Sequence, residues 1–141
     1  MGFANWFSLV IVNWSFANEI FFYCSACLFL TAQNAFSQNF DKGFAAYMLG
    51  NYSQAIIEWR HKASSGSATA MSNLGNMYEV GAGVEQDKVL AHQWYNLAAS
   101  NGDVVARKNK QDLEENMTMS QISNALILAK KCMFSGYLDC D

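Results

Sequence analysis

The chain has 141 residues, 52% of them hydrophobic, with nine Lys or Arg against twelve Asp or Glu and a net charge of −3. That length holds one domain, and the balance of charge excludes the basic surface that a nucleic-acid binder needs. Proline is absent, so the turns depend on glycine and asparagine.

The first forty-one residues differ from the rest: they contain no Lys or Arg, and their charges are Glu19 and Asp41. Residues 20–32 are continuously apolar or small, and Gln33-Asn34-Ala35-Phe36-Ser37-Gln38 follows. A short apolar run ending in Ala-x-Ser fits a secretory signal peptide cut after Ser37. The run is shorter than the roughly 20 residues that span a bilayer. Two features favour the alternative, a retained N-terminal membrane anchor: no positive side chain precedes the run, and a second apolar patch covers residues 3–12. The expected organisation is therefore a signal peptide or anchor over residues 1–37 and a folded domain over 38–141. Cleavage would leave a periplasmic or secreted protein, and retention an inner-membrane one.

The folded part carries an internal repeat. Ala55 pairs with Ala91, Trp59 with Tyr95, Ala63 with Ala99, Gly66 with Gly102 and Ala70 with Ala106, each 36 residues apart. In chain order, helices are predicted over residues 52–65 and 67–80, the first ending at Gly66. On the second, Ala70, Met71, Leu74, Gly75 and Tyr78 share one side. The helix over 87–101, closed by Gly102, places Ala91, Trp94, Tyr95, Ala98 and Ala99 on one apolar stripe. A more polar helix covers 104–115. The last begins at Thr118, whose capping box with Gln121 is flanked by Met117 and Ile122 as a hydrophobic staple. It continues through Ala125, Leu126, Ala129 and Met133. No alternating run signals a strand. The expected fold is an all-α solenoid of two to three helical hairpins, with units at about 39–66, 67–102 and 103–133.

Cys24 and Cys27 lie in the expected signal, while Cys132 and Cys140 close the chain. On a straight helix the latter two would sit about 12 Å apart, too far to bond, but Gly136 permits a reversal. A disulfide is expected in an oxidising compartment and free thiols in the cytosol.

The stretch Ala70-Met-Ser-Asn-Leu74-Gly75-Asn-Met-Tyr78-Glu-Val-Gly81-Ala-Gly83-Val84-Glu-Gln-Asp87-Lys-Val-Leu-Ala91-His-Gln-Trp94-Tyr95-Asn-Leu-Ala98-Ala99-Ser-Asn-Gly102 closely resembles the Sel1-like repeat. This is a tetratricopeptide relative with a longer loop between its helices. Its most distinctive part is Gly81-Ala82-Gly83-Val84 with Asp87. Two glycines supply the turn, Val84 plugs the gap between helices and Asp87 caps the next one. Residues 43–55 look like a shorter tetratricopeptide-type unit, and Met117–Ile122 is similar to the closing element after such repeats in small bacterial proteins. Leu90 stands where the family usually has Lys, and Met119 where the closing box usually has Pro.

The resemblance implies an adaptor that grips a partner protein or peptide through the first helix of each pair, with Phe44, Tyr47, Met48, Ser72, Asn76 and Glu79 facing outward. No catalytic constellation stands out. His61 and His92 read as surface histidines, and neighbouring Glu114 and Glu115 project in different directions on a helix. Gly81-Ala82-Gly83 lacks the spacing of a phosphate loop. No Ser-x-x-Lys pair occurs, although some relatives are associated with penicillin binding. No metal site or cofactor is expected, and a cell-wall-active hydrolase is the least favoured reading.

Overall fold

The computed structural model describes residues 41–140; the expected signal peptide or anchor lies outside the described residues. Among them are six helices and no strand. They are α1 (Lys42–Met48), α2 (Tyr52–Ala63), α3 (Ala68–Val80), α4 (Lys88–Ser100), α5 (Val104–Glu114) and α6 (Met119–Phe134).

Each helix starts where a short polar side chain can accept a hydrogen bond from the first turn. Asp41, Asn51, Ser67, Asp87, Asp103 and Thr118 do so in order. Such caps satisfy amides that the helix itself leaves unbonded. At α6 the box is reciprocal: Gln121 N donates to Thr118 Oγ1 and Thr118 N donates to Gln121 Oε1. The α3–α4 loop leaves its helix through Gly81 (φ 74°) and turns again at Gly83 (φ 73°). A side chain at Gly83 would also collide with the Cβ of Tyr52, so this turn needs glycine for both angle and space.

Helix α1 packs on α2, α2 on α3 and α3 on α4. Small residues let the backbones approach and aromatic rings fill the remaining space. A methyl group on Gly75 of α3 would lie 2.7 Å from the Tyr95 ring of α4. The first hairpin repeats the device, with Gly43 of α1 against the Trp59 ring of α2. Ala55, Ala63, Ala70, Ala91, Ala98 and Ala106 are buried around these contacts, as the repeat spacing requires.

The C-terminal third departs from simple stacking. Helices α5 and α6 each pack on α4, more closely than on one another. As a result α4 is enclosed nearly all round, and Ala91, His92, Gln93, Trp94, Tyr95, Leu97 and Ala98 are all buried. The expected stripe on α6 is only partly used. Ala125 and Ala129 are buried, whereas Leu126 and Met133 are exposed. A terminal helix with α4 as its main neighbour has no second surface on which to bury its larger side chains.

Beyond α6 the chain reverses at Gly136 (φ 67°) and Tyr137 (φ 65°), and Cys132 and Cys140 form a disulfide with Cα atoms 4.5 Å apart. None of the helices among the described residues is long and apolar enough to cross a membrane.

Candidate interaction surface

The first helices of the repeat pairs present a mixed face. On α1, Phe44 and Met48 are exposed, with relative accessibilities of 52% and 68%. Tyr47 is not outward-facing as expected. Its ring lies 5.5 Å from Tyr52 and 5.9 Å from Trp59, centroid to centroid, packed against the core. The α1–α2 turn is so short that Tyr47 folds back onto the start of α2.

On α3, Asn76 is exposed while Ser72 and Glu79 are half-buried. The Glu79 carboxylate accepts a 2.6 Å hydrogen bond from the Tyr95 hydroxyl, so it is committed to the fold as well as to the face. The side chains of Asn76 and of Asn109 on α5 also bear on this hydroxyl electrostatically. Burial raises the Tyr95 phenol well above its ordinary range; Glu79 adds to the shift and the two asparagines oppose it. This hydroxyl is therefore where the polar faces of α3 and α5 meet. The α5 contribution was missed in the sequence, although the register pairing Ala70 with Ala106 also pairs Asn73 with Asn109.

The repeat-defining residues occupy framework positions. Leu74, Tyr78, Ala91, Trp94, Tyr95 and Ala98 are buried, and Gly75 lies against Tyr95. Ala99 is half-buried, and Gly102 takes a left-handed conformation. Asp87 Oδ1 accepts from the amides of Val89 and Leu90. Arg60 ties α2 to α3 by donating to the Tyr78 hydroxyl at 2.8 Å.

The two histidines separate. His61 is exposed, as expected. His92 is not a surface residue: it is fully buried, and its Nε2 lies 2.7 Å from Glu114 Oε1. It sits on the α4 side covered by α5, where the sequence offers an imidazole in place of an apolar group and Glu114 supplies its partner. Among the described residues, no group of three or more His, Cys, Asp or Glu side chains is placed to hold a metal ion.

A cleft of about 170 Å³ opens between α2, α4 and the C-terminal turn, lined by Arg60, Ser64, Trp94, Tyr137, Leu138 and Cys140.

The helix–long loop–helix unit running from Ser67 to the Asp103 cap is the feature that places the chain. The Sel1 repeat family model matches residues 68–103, about a quarter of the sequence. Residues 68–103 therefore form a Sel1 repeat. The Sel1 match takes in α3, the two-glycine loop and α4 together. Sel1 repeats generally mediate protein–protein interaction and are typically non-catalytic. No curated protein matches the chain.

Proposed function

We propose that this protein is a non-enzymatic adaptor of the cell envelope that holds a partner protein or peptide on the face formed by α1, α3 and α5. The observation that carries the reading is the polar cluster around the Tyr95 hydroxyl, which donates to Glu79. Asn76, Glu79 and Asn109, from two first helices, converge there, with exposed Asn76 at its rim. Amide side chains offer both donors and acceptors, which suits an extended main chain. Phe44 and Met48 add exposed apolar contacts at the other end.

Placement in the envelope is supported by the apolar run over residues 20–32 with Ala-x-Ser after it, and by the paired Cys132 and Cys140. Export with cleavage predicts a mature mass corresponding to residues 38–141. The intact chain in the membrane fraction would instead establish an anchored scaffold, which the lack of a positive charge ahead of the run favours.

The test of the surface is site-specific photocrosslinking in the native host. A crosslinker at Asn76 or Met48 should trap one discrete partner, and one at exposed Ser53 on α2 should not. Equal trapping at all three positions, or at Ser53 alone, would refute the assignment of this face.

A further inference from the structure

The C-terminal turn does something that neither the repeat nor the proposed partner face requires. Cys140 is buried at the chain's reversal, and its carbonyl accepts a hydrogen bond from the side chain of Gln93, a fully buried residue at the middle of α4. Next to it, Trp94 lies 2% exposed at the wall of the cleft. Two polar atoms are sealed in this region without a hydrogen-bond partner, Gln93 Oε1 and Trp94 Nε1. Burying such atoms dry is unfavourable, so the closed arrangement has a reason to open.

One covalent bond ties this turn to α6, beside the Tyr137 ring packed against the core and the Gln93 bond to Cys140. Of the turn's other attachments, Lys131 to Asp139 is an ion pair with both partners more than half exposed, of the kind that contributes little. The Asn101 amide donates to the Tyr137 hydroxyl at 3.2 Å on the surface. The Leu138 side chain is 81% exposed, while its amide and that of Asp139 donate to Ser135 Oγ within the turn. The seat of α6 on α4 does not depend on the turn, because Ala125, Ala129 and the Cys132 side chain are buried within the helix itself.

We propose that the Cys132–Cys140 disulfide is a reducible latch, which when closed holds residues 135–140 over Gln93 and Trp94, and when opened by a dithiol exposes them as a hydrogen-bonding surface between α2 and α4. The inference does not depend on which face binds the partner. Cys132 is wholly buried, whereas Cys140 retains 8% exposure, so the attacking thiolate reaches the Cys140 sulfur and Cys132 leaves as thiolate. The dithiol's second sulfur then resolves the mixed disulfide and releases Cys140. Two electrons and two protons pass from the dithiol, which ends as a disulfide, to the two cysteines. Without the bond the turn is left with noncovalent contacts alone, and it opens locally.

The experiment uses the full chain, oxidised and then fully reduced with dithiothreitol, with reduction verified by thiol titration. Acrylamide quenching of tryptophan fluorescence is read in the parent and in Trp94→Phe, the difference isolating Trp94. Helicity is followed by circular dichroism. A several-fold rise in Trp94 quenching on reduction, with helicity retained, is the expected result. Cys140→Ser should show the raised quenching from the start and should ignore the reductant. Should that variant fail to fold, parent protein reduced and alkylated with iodoacetamide carries the same readout. Unchanged quenching after complete reduction would overturn the latch. So would loss of helicity, which would make the bond a structural strut.

Discussion

Replacing Gly75 by Ala tests the packing argument where two principles pull in opposite directions. On propensity alone the change should help, since Ala is favoured over Gly in a helix interior by about 1 kcal/mol. The structure opposes this, because the new methyl would lie 2.7 Å from two carbons of the Tyr95 ring. That ring is fully buried and its hydroxyl is fixed to Glu79, so it cannot swing aside freely. Overpacking of this kind costs about 1–3 kcal/mol. Displacing the ring also weakens a hydrogen bond to a carboxylate, worth about 1.5–3 kcal/mol. After the propensity gain is subtracted, the expected net loss is about 1.5–5 kcal/mol, a large share of the roughly 5–15 kcal/mol typical of a domain. Thermal unfolding of the full chain, followed by circular dichroism, should show Tm lowered by about 10 °C or more. In a Tyr95→Leu background the penalty should shrink, because the colliding ring is gone. A Gly75→Ala protein as stable as the parent, or more stable, would refute the claim that this glycine exists for close approach.

Removing the cap of α4 with Asp87→Ala strips two amides of their acceptor; urea unfolding should show a loss of about 0.5–2 kcal/mol with an unchanged m-value. His92→Ala empties a fully buried site and takes the partner from Glu114, so it should cost about 2–4 kcal/mol. His61→Ala, on the surface, should stay within about 0.5 kcal/mol of the parent in the same titration. Partial burial pushes the Asp41 carboxyl up, but hydrogen bonds from Lys62, Trp59 and the Gly43 amide outweigh it, and the group titrates below its ordinary 3.8. Its stabilising contribution is therefore complete above pH 3.8 and is lost as the pH falls through the lower folded value. Parent and Asp41→Asn should differ by about 0.5–1 kcal/mol at neutral pH, after allowance for solvent around Lys62, and should converge in acid. A gap that stays constant down to acid unfolding would contradict the assignment.

The repeat was legible because its signal lies in side-chain volume. Alanines and aromatics spaced 36 apart occupy matching core positions, and the two-glycine loop demands backbone angles that few other residues supply. Three features were less legible, each for a physical reason. The burial of His92 and Gln93 depends on α4 being covered by both α5 and α6, and a single-helix stripe does not encode how many neighbours will surround it. The outward assignment of Tyr47 failed because the length of a turn, not helical periodicity, decided where its ring went. The exposed Leu126 and Met133 follow from α6 ending the array, a property of position in the fold. At the candidate surface Asn76 was readable from repeat geometry, whereas Asn109 enters through a hydroxyl on a third helix.

The enclosure of α4 by α3, α5 and α6 has a consequence for how the molecule comes apart. In an ideal solenoid each unit touches only the next, and unfolding runs inward from either end. Here α3, α5 and α6 surround α4 and must loosen together with it, whereas α1 and α2 join them mainly through α3. Hydrogen exchange should accordingly divide into two tiers, with the first hairpin opening at lower free energy and the amides of α4 among the last to exchange.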